Sequence, residues 1–280
     1  MLPMHAIVRR NEEVSMPVVD MHAHVYPDKI ADKATASVGQ FYNIPMQALL
    51  GSVSNLRKCR EDTPITHTVV CSVAVKPQTV CSINDFSAQT CEQDDTMLGL
   101  AAMHQDFDDP EKELDRAISL GLRGVKLHPD TQAVDMDDPR LMKVYEECEK
   151  RGLPLLIHCG DYRYDYSHPR RLKRILHEFP QLKICAAHFG GWSVYDLALE
   201  FLEDERCYLD VSSSMRYLGL RRSRELIEDY GVSRIMFGSD FPMWNPGEEY
   251  ESFSALGFSA ADFERMSWHN IEDWLAADID

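Results

Sequence analysis

The sequence predicts an α/β protein of the (β/α)₈ TIM-barrel class in a single domain. Three observations carry that expectation: a length of 280 residues, eight short aliphatic runs each followed by a charged amphipathic stretch, and a histidine or aspartate at the end of nearly every run. A parallel barrel of about 250 residues folds around one core, so one domain accounts for residues 1–280. Apolar residues make up 44% and charged residues 27% of the chain, a composition that supports a packed core and excludes disorder.

The runs read in order as Val18 to Val25, His67 to Val75, Met97 to His104, Gly121 to His128, Leu153 to His158, Leu182 to His188, Cys207 to Ser212 and Arg234 to Asp240. Their near-continuous hydrophobicity suits strands buried on both faces. Helices are expected between them: Pro139 to Arg151 follows Asp137-Asp138, and Pro169 to Phe179 follows Ser167-His168, each with proline in the first turn. An open doubly wound sheet is the competing architecture. It usually carries a glycine-rich turn after its first strand, whereas here that turn is Met21-His22-Ala23-His24. The first connection, residues 26–65, is longer than one helix and two turns require, which makes it a candidate lid at the catalytic face. Its Phe41 and Tyr42 are candidates for substrate contact or for packing on the barrel.

A formal charge of −17 and a pI near 5.0 argue against nucleic acid or anionic lipid as a partner, because both require clustered Lys and Arg. The eight cysteines form no CxxC pair and no compact framework, the pattern of free thiols in a reducing cytosol. No apolar run approaches the roughly 20 residues of a membrane helix, and the N-terminus lacks a signal-peptide core. A soluble cytoplasmic protein acting on a small molecule is the expectation.

The ends of the runs carry the chemistry. In Asp20-Met21-His22-Ala23-His24 the two histidines are separated by one residue, so the two-residue period of a strand sends both into the barrel interior. His158 closes the fifth run and Asp240 the eighth, and with His22 and His24 they make a set able to hold one divalent metal with a position left for water. Zinc is the expected ion; manganese, iron or cobalt fit the same donors, and a second ion is an open alternative. Asp240 is also the candidate general base, with an N-cap as its plain structural use. His188 ends the sixth run with the same rim geometry and is a second catalytic candidate. In Gly124-Val-Lys-Leu-His-Pro129, Lys126 and His128 point to one side. Lys126 could be carboxylated and bridge two ions, hold an anionic substrate, or pair with an interior acid such as Asp20 or Asp210; the last two are preferred. Arg163, Arg216 and Trp192 lie in loops after strands and are candidates for gripping substrate.

His22-Ala-His24, Gly124-Val-Lys-Leu-His-Pro129, His158, His188-Phe-Gly-Gly191 and Gly238-Ser-Asp-Phe-Pro242, in this order, resemble the amidohydrolase superfamily. The resemblance is to its amidohydrolase-2 branch, which includes aminocarboxymuconate-semialdehyde decarboxylase, and it spans Val18 to about Pro242. It implies metal binding by His22, His24, His158 and Asp240, assistance by His188, and a homodimer. It also implies either of two reactions, because the branch holds hydrolases and non-oxidative decarboxylases. The expectation is hydrolysis of a small ester, lactone or amide by a metal-activated water, with Asp240 moving the proton and His188 stabilising the oxyanion. The alternative is decarboxylation of a small unsaturated or aromatic acid with Arg163 or Arg216 orienting the carboxylate. A barrel that binds ligand without turnover is a third reading, and the intact ligand set argues against it.

Overall fold

The computed structural model describes residues 17–46 and 50–279, and His5 lies outside them. Among the described residues nine strand segments, all paired in parallel, follow one another around the molecule. They are β1 (Val18–His24), β2 (Ile65–Cys71), β3 (Met97–Gly99), β4 (Ala101–Ala102), β5 (Val125–Leu127), β6 (Leu155–Ile157), β7 (Ile184–Ala186), β8 (Tyr208–Asp210) and β9 (Ile235–Met236). β3 and β4 are halves of one barrel strand parted at Leu100, whose N–H still donates to the Val70 carbonyl at 2.9 Å while Ala101 turns its N–H to Gly124. The ring closes between β9 and β1: Met21 N–H donates to Phe237 O at 2.9 Å, and Asp240 N–H to His22 O at 2.7 Å. The eight expected runs thus form one closed barrel.

The second strand begins at Ile65, two residues before its expected start, and ends at Cys71. Ser72 donates its hydroxyl to Val25 O at 2.6 Å, which turns the chain off the sheet and leaves Val73 and Val75 in the loop above it. Helix boundaries follow local chemistry. Pro139–Arg151 is capped by the Asp138 side chain and stopped by Gly152 at φ 65°, the left-handed conformation that glycine adopts most freely. Pro169–Glu178 is capped in the same way by His168.

The first connection is not an open loop: it holds helices Asp28–Tyr42 and Val53–Arg60, with residues 47–49 of the candidate lid outside the described set. Leu56, Val25, Val70 and Phe241 form a core cluster that fixes the shorter helix beside the barrel wall. All eight cysteines are free thiols. Among the described residues no helix is long and apolar enough to cross a membrane.

Candidate functional site

The side chains of interest emerge where the barrel strands end. His22 is fully buried and His24 only partly so, and their Nε2 atoms lie 3.2 Å apart. Asp240 Oδ1 is 3.6 Å from the first and 3.4 Å from the second. Asp240 reaches this point from a left-handed backbone, φ 61°. Gly238 lets the two strands approach, since a Cβ there would stand 3.0 Å from the His22 Cβ.

Assigning each imidazole proton from the acceptors around it shows which lone pairs remain. His22 Nδ1–H donates to Asp210 Oδ2 at 3.0 Å, leaving Nε2 as an acceptor that faces His24, Asp240 and the Lys126 ammonium, whose Nζ lies 3.0 Å away. His188 Nδ1–H donates to the Ser212 carbonyl at 3.0 Å, leaving Nε2 open 3.1 Å from His158 Nδ1. His158 Nε2 faces only Gly160 O at 3.0 Å and the Asp130 carboxylate at 3.3 Å. It therefore carries the proton, and Nδ1 is its free lone pair. Asp210 is the organiser: while Oδ2 takes His22, Oδ1 accepts from the Ser212 hydroxyl and the backbone N–H groups of Ser212 and His188.

Charge states follow. Burial, aided by the Lys126 charge, lowers His22 to about 4, and burial lowers His188 to about 3. Burial alone would raise Asp240, but His24, His22 and His188 hold it far below the usual carboxylate range. Burial also works against a charged His24, yet Cys71 and Asp240 outweigh it and push it up to about 9. At neutral pH the cluster therefore offers lone pairs on His22 and His188, an ionised Asp240, and one His24 proton that a cation would displace. Three donors 3.2–3.6 Å apart match the roughly 3.4 Å between ligands about 2.1 Å from one tetrahedral ion. The donor set fits a divalent metal.

A cavity of about 670 Å³ opens over this cluster, lined by His22, His24, Lys126, His128, His158, His188 and Asp240 and walled on one side by helix Asp28–Tyr42. Lys126 is 1% exposed, with Nζ 3.0 Å from His22 Nε2. It forms no ion pair with Asp20 or Asp210. Asp20 is held by Ser239 and Asp210 by the histidines and Ser212. His128 stacks on His158, ring centroids 3.9 Å apart, and its Nε2 lies 2.7 Å from the Tyr42 hydroxyl.

Three expected substrate contacts stand elsewhere. Arg163 is absorbed by a two-point pair with Asp161 and by the Phe41 carbonyl. Arg216 pairs with Glu248 and covers the Trp244 ring at 4.4 Å. Trp192 packs edge-on against Tyr42. None of the three lines the cavity. His104 also turns away, accepting the Asp106 N–H. Sequence reasoning missed Asp130, Ser212 and Ser213 as partners of the site and saw Asp210 only as a partner for lysine. A buried acid in an aliphatic strand was the available signal, since such a group must be paired.

A family model described as amidohydrolase (Amidohydro_2) matches residues 19–276. A 2-amino-3-carboxymuconate-6-semialdehyde decarboxylase from Dictyostelium discoideum is 24% identical over 238 residues, covering 70% of this chain and 66% of that protein, just under two thirds of its length. A 5-carboxyvanillate decarboxylase from Novosphingobium aromaticivorans, solved with manganese and 4-hydroxy-3-methoxy-5-nitrobenzoic acid, superposes with a TM-score of 0.75 at 16% identity, covering 98% of this chain and all of the other. The enzyme of the same name from Sphingomonas paucimobilis gives 0.74 at 18% identity, covering 94% of this chain and all of its own. These likenesses overturn the expectation of ester, lactone or amide hydrolysis, because the relative and both structures are decarboxylases. With its model matched across nearly the whole barrel, the chain belongs to the amidohydrolase family.

Proposed function

We propose that this protein is a metal-dependent, non-oxidative decarboxylase of a small aromatic or unsaturated carboxylic acid. The observation that carries the reading is the convergence of His22 Nε2, His24 Nε2 and Asp240 Oδ1 within 3.6 Å on the wall of a cavity whose other charged lining is cationic. In a chain of net charge −17, the cavity gathers Lys29, Lys33 and Lys126 against Asp240, the one acid among its described lining residues, with Ile30, Val38, Phe41, Val73 and Phe86 supplying apolar wall. That pairing of positive charge with flat apolar surface suits a planar acid. His22, His24, Asp240 and His158, through its open Nδ1, would hold the ion. A bound divalent cation would polarise a substrate oxygen and offset the negative charge developing there. Three imidazoles and a carboxylate suit zinc, and manganese is the ion in one of the similar structures.

The chain's own residues divide the remaining work. The Lys126 ammonium, buried beside His22, orients the substrate carboxylate in place of the displaced Arg163 and Arg216. His188 Nε2, with its Nδ1 anchored on Ser212, moves a proton to the carbon that bears the carboxylate. The carbon–carbon bond then breaks, its electron pair restores the π system, and carbon dioxide leaves, so one proton enters the product for each molecule released. Burial lowers His188 to about 3, so its Nε2 is unprotonated at neutral pH; it takes the proton from a substrate hydroxyl or from solvent and hands it on to the carbon. Asp240 stays ionised as an anionic ligand in this chemistry and carries no proton. The test is carbon dioxide release and deuterium incorporation from heavy water over a panel of hydroxybenzoates and unsaturated acids. Metal-replete protein that releases no carbon dioxide from any of them refutes the reading.

A further inference from the structure

Behind Asp240 lies a chain of donors whose direction is set by chemistry. An indole N–H can only donate, and Trp244 Nε1–H points at the Ser213 hydroxyl oxygen, 2.7 Å away. The Ser213 hydroxyl, its oxygen occupied as acceptor, turns its own proton to Asp240 Oδ2 at 2.5 Å. Asp240 Oδ2 is thereby engaged, while Oδ1 faces His22 and His24. All three residues are buried, Ser213 at 1%, Trp244 at 4% and Asp240 at 8% exposure. Ser213 holds a left-handed backbone at φ 52°, unusual for a residue with a side chain. The Arg216 guanidinium covers the indole at 4.4 Å and Tyr217 meets its edge, so the ring is packed on a face and on an edge in the position from which it donates to the serine.

We propose that Trp244 and Ser213 are positioning residues that restrict Asp240 to one-oxygen coordination and thereby set the metal affinity of the site. Without them the carboxylate is free to rotate and to offer either oxygen, or both. The inference rests on the metal-dependent reading above. It also accounts for Arg216, which lies on the tryptophan and not on the cavity wall.

Three variants test it: Trp244→Phe keeps an aromatic side chain and removes the donor, Ser213→Ala removes the link, and the double variant removes both. Each is stripped of metal and titrated with Mn²⁺ and with Zn²⁺ against a fluorescent chelator, and unfolding of the metal-free forms is followed alongside. Loss of a partner of this kind weakens metal binding roughly 10- to 100-fold, so each single variant is expected to lose affinity in that range. The double variant is expected to be no weaker than Ser213→Ala, because both substitutions cut one chain. Singles within twofold of wild type, or losses that multiply in the double variant, overturn the proposal. Wild type that takes up neither ion overturns the metal-dependent reading itself, a result distinct from variants that bind as wild type does.

Discussion

Glu249 sits in the first turn of helix Pro246–Ser254 with only 2% of its surface exposed, and its Oε2 has no hydrogen-bond partner. The nearest cation, Arg216, stands at 4.0 Å and is already paired with Glu248. Burial therefore dominates, and the carboxyl is pushed up from 4.5 to about 7. At about 1.4 kcal/mol per decade of proton affinity, the ionised form costs the folded state about 3 kcal/mol. The sign follows from proton counting. Between pH 4.5 and about 7 the unfolded chain has lost this proton while the folded chain keeps it, so the contribution of Glu249 to stability falls as pH rises through that window. Glu249→Gln removes the titration. Urea unfolding should show the variant close to wild type at pH 5 and more stable by up to about 3 kcal/mol at pH 8. Equal stabilities at pH 8, or a variant weaker at both pH values, would show that the carboxylate finds a partner when ionised.

Two further outcomes are expected. Gly160→Ala should cost roughly 3 kcal/mol or more in thermal or urea unfolding. Its φ is +73°, and a Cβ there would stand 2.5 Å from the Gly191 Cα, where backbone cannot yield without parting the loops that carry His158 and His188; a loss under about 1 kcal/mol contradicts this. Tyr42→Phe leaves His128 Nε2 without the hydroxyl 2.7 Å away and should cost about 1–3 kcal/mol. It should also speed amide exchange in helix Asp28–Tyr42, and exchange unchanged there would show that the hydroxyl does not pin the helix to the barrel.

Much of this arrangement was legible because it follows short-range rules. His22 and His24 share a face through the strand period, and Asp138, Pro139 and Gly152 bracket a helix whose limits are those the sequence predicts. Other parts depend on partners that no local pattern announces. His22 and Asp210 are 188 positions apart and meet only because the barrel closes. Arg163 lies in a loop after a strand, yet Asp161, two residues before it, takes the Nε and Nη2 edge of its guanidinium and the Phe41 carbonyl takes Nη1, so a cation judged by position alone is read as free. Arg216 fails for the same reason, drawn off by Glu248 and the face of Trp244.

The reaction was misread for a different reason. Two histidines from one strand, a third from another and a distant aspartate serve a metal equally well whether the bond broken is to an acyl heteroatom or to a carboxylate carbon, so the ligand motifs carry no information on that choice. What bears on it is the cavity wall. Lys29, Ile30, Lys33, Ala34 and Val38 come to the cavity from one face of helix Asp28–Tyr42, a segment that the sequence marks as a long connection and candidate lid without singling out these residues. Its two lysines line the same cavity as Lys126, and they belong to no motif shared with the barrel strands. Selectivity for an acid over an ester is therefore expected to reside in this helix and in Lys126, while the ligands leave the choice of reaction open.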